Sequence, residues 1–202
     1  MKKDGGAGIK ALLTLSDGVT FLEAIYRKMA EFSEKVIIVL GADKDEILTR
    51  LKFAGKPGRM VRQMGRAEIV YNENYKNGMF SSLKKALPLM PAGNAFMINP
   101  VDCPAVKKET YKGLLAKWGK YPDKIHIPSF DGRRGHPAIY PSSLVREILD
   151  APDNLPGGLK FFLKRDKENI LYFDTNDKGV IMDVDTPADY EKITGVRSVI
   201  KK

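Results

Sequence analysis

Short runs of β-branched and apolar residues alternate with segments of helical periodicity along this chain, and this alternation constrains the fold more than any other feature. The clearest apolar runs are Val36–Leu40 and Ala95–Asn99. Between such runs, apolar residues recur at spacings of three and four, as on one face of an α-helix. The alternation predicts an α/β fold with a mostly parallel sheet. Because no internal repeat or low-complexity linker interrupts it, we predict a single domain over residues 1–202.

The same periodicity predicts the order of the elements along the chain. A capping box at Thr20-x-x-Glu23 is expected to open the first helix, and Pro187 to open the last. Helices are predicted over 20–33, from 43 to 55–57, from 81, and over 107–118, 142–150, 157–165 and beyond 187. Strands are predicted over 36–40, 68–71, 95–99, 125–128, 138–140, 170–173 and 180–185.

Charge and composition narrow the classes of function. The 34 Lys and Arg residues against 25 Asp and Glu give a net charge of +9, which favours anionic partners such as phosphate-bearing small molecules or nucleic acid. The basic residues are dispersed, and no RNA-binding aromatic motif or zinc finger is present, so nucleic-acid binding is the weakest hypothesis. No apolar run approaches the roughly 20 residues of a membrane span, and the start lacks a signal-peptide pattern, so we predict a cytoplasmic protein with no membrane partner.

One cysteine and two histidines leave little scope for sulfur- or imidazole-based chemistry. Cys103 has no partner for an internal disulfide, and His126 and His136 are too few for a histidine metal centre. Any bound metal is therefore expected to be a hard cation with oxygen ligands.

Two aspartates follow predicted buried strands at the edge of the sheet where α/β proteins bind ligands. Asp102 lies between Pro100 and Pro104, and Asp185 precedes Thr186-Pro187. The simpler alternatives are an ordinary turn residue for Asp102 and a helix N-cap for Asp185. Strand periodicity places Asp183 on the same face as Asp185, as a substitute ligand.

A pair of aspartates without His or Cys support points to Mg²⁺, which keeps several waters and completes its shell with substrate phosphates. We therefore expect a metal that binds mainly together with a nucleotide.

Two loops carry groups suited to anions. Arg134, Gly135 and His136 lie in a Gly- and Arg-rich loop that can bind phosphate. A solvated basic turn explains the loop equally well, and a lone histidine before proline is more often structural. The segment Gly78-Met79-Phe80-Ser81-Ser82 places hydroxyl and amide groups at a helix start, where anions or base edges bind, and a plain serine N-cap is the alternative.

Six motifs, in order along the chain, resemble the MobA-like nucleotidyltransferases, and within them most closely the molybdenum cofactor cytidylyltransferase branch. They are Lys10-Ala11-Leu12-Leu13, Gly41-Ala42-Asp43, Gly78-Met79-x-Ser81-Ser82-Leu83, Asn99-Pro100-Val101-Asp102-x-Pro104, Arg134-Gly135-His136-Pro137 and Asp183-Val184-Asp185-Thr186-Pro187-Ala188-Asp189-Tyr190. The resemblance covers nearly the whole chain and implies a Rossmann-like, three-layer nucleotidyltransferase fold. It also implies transfer of CMP from CTP to the phosphate of a molybdopterin-type cofactor, with release of pyrophosphate.

The resemblance further implies roles for individual residues. Asp102 and Asp185 match the family's metal-binding acidic positions, and Lys10 matches a catalytic, phosphate-contacting lysine. Gly78, Met79, Ser81 and Ser82 match a nucleotide-binding loop. Arg134, Gly135 and His136 match a loop that faces the acceptor. A molybdoenzyme is a further partner that the resemblance implies.

The chain departs from the family at its start. Family members begin with a buried strand and a glycine-rich nucleotide loop, where this sequence has Met1–Ile9 with Gly5, Gly6 and Gly8. The missing strand lies near the middle of the family's sheet, so the strands at 36–40 and 95–99 are expected to lack backbone partners on one edge. This departure supports an alternative hypothesis, a catalytically impaired relative that binds the cofactor or matures a molybdoenzyme.

Overall fold

The computed structural model describes residues 9–50 and 67–195. In these ranges the α-helices are α1 (Phe21–Phe32), α2 (Lys44–Arg50), α3 (Met79–Ala86), α4 (Lys108–Trp118), α5 (Ser143–Asp150), α6 (Leu159–Arg165) and α7 (Pro187–Thr194). The strands are β1 (Val36–Leu40), β2 (Ala67–Tyr71), β3 (Phe96–Ile98), β4 (Ile125–Phe130), β5 (Arg133–Arg134), β6 (Ala138–Tyr140) and β7 (Ile170–Asp174). Short 3₁₀ helices cover Lys10–Leu12, Tyr75–Asn77, Leu87–Leu89, Lys167–Asn169 and Lys178–Ile181.

Most predicted elements form where their local signals place them. Thr20 caps α1, because its side-chain oxygen accepts a hydrogen bond from the Glu23 amide. In β1, Val36, Ile38 and Leu40 are buried and alternate with less buried residues, as a strand with one covered face requires. The predicted end of α2 near residues 55–57, and the glycines at 5, 6 and 8, lie outside the described residues.

The predicted strand over 180–185 is wrong. The Asp177 side chain accepts a hydrogen bond from the Gly179 amide and starts the 3₁₀ helix Lys178–Ile181 instead. The Val180 carbonyl is then taken by the His136 amide at 2.8 Å, away from any strand ladder. A local side-chain cap therefore overrides the β-branched composition of this segment.

The strands form two sheets among the described residues. β1 pairs with β2 in parallel. The second sheet is mixed: β3 pairs with β6 and β6 with β4 in antiparallel fashion, while β4 pairs in parallel with β7 and in antiparallel fashion with β5. The α/β class is confirmed. No helix of the described chain is long and apolar enough to cross a membrane.

The two sheets are separated where the sequence predicted a missing strand. Among the described strands, β1 has only β2 as a partner and β3 only β6, so each keeps one unpaired edge. A cavity of about 1330 Å³ borders both edges. It is lined by consecutive residues, 35–39 on one side and 95–102 on the other. Since neighbouring side chains of a strand point to opposite faces, lining by consecutive residues shows that the strand edges themselves bound the cavity.

Candidate active site

Asp102 lies in the turn that follows β3, next to a segment far away in sequence. The Cys103 amide donates to the Pro100 carbonyl at 3.2 Å and closes the turn. The Val184 amide donates to the Asp102 carbonyl at 2.9 Å. This main-chain hydrogen bond fixes Asp183 and Asp185, the neighbours of Val184, beside Asp102.

Lys10 lies between the two aspartates that the sequence singled out. Its Nζ is 2.6 Å from Oδ1 of Asp185 and 3.5 Å from Oδ2 of Asp102. Partial burial opposes the charged form of Lys10, but the hydrogen bond to Asp185 and the charge of Asp102 outweigh it and raise the pKa of Lys10. Two carboxylates, 83 residues apart in sequence, thus share one cation, and the predicted closeness of Asp102 and Asp185 is observed.

The N-cap alternative for Asp185 is excluded by the start of α7. Thr186 is the N-cap, and its side chain and that of Asp189 form a reciprocal capping box. Asp185 is therefore free of the helix start, and its side chain is 70% exposed. Asp102 does lie in a turn, which was the simpler alternative for this residue. It also lies beside Asp183 and Asp185, and we call these three aspartates the acidic group.

Asp183 has a different partner from Asp185. The Cys103 thiol donates to Oδ1 of Asp183 at 2.9 Å and lies 3.7 Å from Oδ1 of Asp102. Burial, together with the hydrogen bond to Asp183 and the charge of Asp102, raises the pKa of the thiol far above its ordinary value. The thiol therefore stays protonated and links the two carboxylates on the buried side.

The donor set fits a hard divalent cation. Asp102, Cys103 and Asp183 each offer a ligand atom within 4.8 Å of the others, and Asp185 joins the group through Lys10. Carboxylate oxygens are the ligands that Mg²⁺ and Mn²⁺ prefer, whereas a protonated thiol is a poor ligand for either ion. The aspartates, and not Cys103, are the residues that would hold such an ion.

His136 adjoins this acidic group. Its amide donates to the Val180 carbonyl, and its buried Nδ1 has no hydrogen-bond partner among the described residues. Burial lowers the pKa of His136 despite the opposing charges of Asp183 and Asp102. The ring is therefore neutral near pH 7.

The other two residues of the predicted acceptor loop have separate surroundings. A Cβ on Gly135 would lie 2.1 Å from the Val180 oxygen, so the close approach of these two chain segments requires glycine. The exposed Arg134 guanidinium lies 5.1 Å from the ring centroid of Tyr172. The loop thus offers an imidazole on the acidic side and a guanidinium over an aromatic ring.

The predicted nucleotide loop lies at the start of α3, and its serines are already engaged. The buried Ser81 hydroxyl lies within hydrogen-bonding distance of the Asn74 and Gly78 carbonyls, 3.0 and 2.8 Å away. Asn72 donates through Nδ2 to both Ser81 and Ser82. Asn72 is not among the predicted site residues, although it directly follows β2, at the carboxyl end where polar residues carry most weight.

The strand-edge cavity connects this loop with Asp102. Gly78, Met79 and Ser82 line it together with Asn99, Pro100 and Asp102. Met79 is 58% exposed, which is unusual for a large apolar side chain and leaves its surface available for contact. The structure therefore places the predicted nucleotide segment and the predicted metal ligand on one cavity.

Comparisons with known proteins show which family the sequence matches. The family model described as MobA-like NTP transferase domain matches residues 2–170. The molybdenum cofactor cytidylyltransferase of Escherichia coli (strain K12) is 22% identical over 181 residues, 90% of this chain and 84% of that protein.

Solved structures share the fold. The structure of Rv0371c of Mycobacterium tuberculosis H37Rv in complex with manganese aligns with a TM-score of 0.67 at 20% identity. The alignment covers 95% of this chain and 94% of the Rv0371c chain. Molybdopterin-guanine dinucleotide biosynthesis protein A from Archaeoglobus fulgidus has a TM-score of 0.62 at 19% identity, covering 95% of this chain and 93% of its own.

Proposed function

Because the chain belongs to the MobA-like NTP transferase domain family, and is a nucleotidyltransferase on that ground, we propose that it transfers CMP from CTP to the phosphate of a molybdopterin-type cofactor and releases pyrophosphate. The reaction is proposed to depend on Mg²⁺. A cytoplasmic location, and a molybdoenzyme as recipient of the product, are part of the same proposal. The choice of CTP and of the acceptor rests on the likeness to the Escherichia coli cytidylyltransferase.

The observation that carries the proposal is the shared position of Lys10 between Asp102 and Asp185. Phosphoryl and nucleotidyl transfer need alignment and compensation of negative charge more than covalent chemistry. Asp102 and Asp185 would hold the divalent ion, which when bound supplies positive charge to the reacting phosphates. Lys10 is close enough to both carboxylates to exchange one of them for a phosphate oxygen of the nucleotide.

No general base is required among the side chains. A phosphate monoester has a second pKa of about 6, so the attacking oxygen is already largely ionised near neutral pH. The proposed task of His136 is to orient the acceptor from its place beside the acidic group. Arg134 would complete the acceptor side, and Gly135, whose amide donates to the Pro128 carbonyl at 2.8 Å, would fix the course of the loop.

The nucleotide side is proposed to lie along the cavity at the start of α3. There the main-chain amide of Met79, at the first position of α3, is suited to an anion, as at other helix N-termini, while the Gly78 amide donates to the Tyr75 carbonyl and fixes the turn. Ser82 lines the same cavity, while Ser81 contributes by fixing the turn. The exposed Met79 side chain offers an apolar surface for the nucleotide base.

The test is release of pyrophosphate from CTP with Mg²⁺ and molybdopterin, measured for the wild type, Asp102→Asn and Lys10→Met. We expect both substitutions to lower kcat at least 100-fold, about the cost of one transition-state charge contact. Asp150→Asn is the matched control, because Asp150 forms an exposed helical ion pair with Arg146, and the loss of such a pair is nearly neutral.

The competing outcomes are distinct. Release with GTP in place of CTP would change the nucleotide but keep the reaction. Absence of pyrophosphate release by the wild type, with retained binding of molybdopterin, would reject catalysis in favour of a cofactor-binding protein.

A further inference from the structure

The loop that carries Asp102 is held by side chains from outside the acidic group. Asn99 donates through Nδ2 to the Pro100 carbonyl at 2.9 Å and to the Cys103 carbonyl at 3.2 Å. These two carbonyls flank Asp102, so a single amide spans the turn. The proline at position 100 restricts the backbone φ at the start of the turn.

Tyr111 fixes the direction of that amide. This fully buried side chain, on α4, donates from its hydroxyl to Oδ1 of Asn99 at 2.7 Å. Because the phenol donates, the carbonyl end of the amide faces Tyr111 and the NH₂ end faces the turn. Burial, helped by neighbouring negative charge, raises the pKa of Tyr111, so the proton stays on the phenol.

Lys28 holds the loop from the other side. Its Nζ, reaching over from α1, donates to the Pro104 and Val106 carbonyls, each at 2.7 Å. The ammonium also lies 6.0 Å from the centroid of the Tyr111 ring. Removing an ammonium from water is costly, and the cost is visible in a pKa of Lys28 that burial lowers even against the charge of Asp177.

We propose that Lys28 is a positioning residue, which together with Asn99 and Tyr111 sets the direction in which Asp102 presents its carboxylate to a divalent cation. This inference rests on the proposed function, which gives the divalent cation its role in nucleotidyl transfer. Asn99 donates hydrogen bonds to loop carbonyls before and after Asp102. Lys28 donates to the carbonyls two and four residues after Asp102, and the Val184 amide donates to the Asp102 carbonyl itself. With the main chain fixed at these points, the Cα–Cβ bond of Asp102 has a fixed direction, and its carboxylate is confined to the staggered rotamers about that bond.

This role differs from simple stabilisation in what it predicts. Partners that orient metal ligands typically change metal affinity or activity 10- to 100-fold when they are removed. A residue that only stabilises the fold lowers the midpoint of unfolding and leaves the affinity of the folded protein unchanged.

The experiment measures the Kd for Mn²⁺ by electron paramagnetic resonance, with and without CTP, together with thermal unfolding, in the full chain. We expect Lys28→Met to weaken Mn²⁺ binding at least 10-fold, and Lys28→Arg to recover part of that loss because its guanidinium also donates to carbonyls. Lys117→Met is the matched control: Lys117 is also a partly buried helical lysine that donates to a carbonyl, that of Tyr172. It is expected to change stability alone.

A folded Lys28→Met protein with wild-type Mn²⁺ affinity would overturn the inference, as would a wild type whose Mn²⁺ binding is unaffected by Asp102→Asn. Should Lys28→Met not fold, Tyr111→Phe decides, since it removes only the hydroxyl that orients Asn99 and is expected to weaken Mn²⁺ binding in the same direction. Pyrophosphate release is measured separately. A protein without transferase activity, whose Mn²⁺ site still depends on Asp102 and Lys28, would refute the proposed function and leave this inference standing.

Discussion

The facing edges of β1 and β3 lead to the prediction that an added strand stabilises this chain. A five-residue strand would match Val36–Leu40 in length and extend about 17 Å. We consider an apolar, β-branched segment of that length fused ahead of Met1. Each of its residues brings a side chain into an apolar cavity and backbone groups to an unpaired edge.

The expected gain follows from three terms for each residue of the added strand. Burying a Val or Ile side chain contributes about 2 kcal/mol. One backbone hydrogen bond adds about 1 kcal/mol. The lost conformational freedom of backbone and side chain costs about 2 kcal/mol. The net gain for five residues is about 5 kcal/mol, which for a chain of this size corresponds to a rise in Tm of about 10–20 °C.

The assay compares thermal unfolding of three proteins: the original chain, the apolar fusion and a fusion of equal length made of Gly and Ser. Hydrogen exchange of the β1 and β3 amides is recorded in parallel. We expect a higher Tm and slower exchange of these amides for the apolar fusion alone. Equal Tm values for the two fusions, with unchanged exchange in β1 and β3, would refute the conclusion that the edges of these two strands bound the cavity.

Two further predictions concern the loop around His136. Gly135→Ala places a methyl group 2.1 Å from the Val180 oxygen and is expected to lower the free energy of unfolding by about 1–3 kcal/mol. Urea denaturation measures this loss, and an unchanged midpoint would contradict the close approach of the two segments. Burial lowers the pKa of His136 and of His126 below their ordinary value of 6.5, so the unfolded chain binds more protons than the folded chain. The free energy of unfolding at pH 7.5 is therefore expected to decrease as the pH falls through 6.5. His136→Gln is expected to make this decrease smaller, and equal decreases in the variant and the wild type would exclude a contribution from His136.

Much of the fold could be predicted from the sequence, because its signals are local. Thr20-x-x-Glu23 caps α1 as expected, since a cap needs only residues three apart. The alternation of Val36, Ile38 and Leu40 marks one covered face of β1. The position of Asp102 directly after β3 follows from the same reasoning.

The errors arose where two local signals compete for one segment. Val180–Asp185 has the composition of a strand, but Asp177 caps a 3₁₀ helix there. Either residue in Asp185-Thr186 is able to cap α7, and Thr186 does so because Asp189 completes a capping box with it. Propensity alone does not decide between such competing local structures, because their free energies differ by about 1 kcal/mol or less.

The sequence by itself determined the α/β class, most of the elements and the place of Asp102 after β3, because neighbouring residues decide all three. Only the tertiary structure decided that Lys10 joins Asp102 and Asp185, that Cys103 contacts Asp183, and that Lys28 and Asn99 hold the loop between them. Those contacts connect residues up to 175 positions apart. No periodicity encodes them, because such distant residues meet only once the packed helices and strands have set the course of the chain.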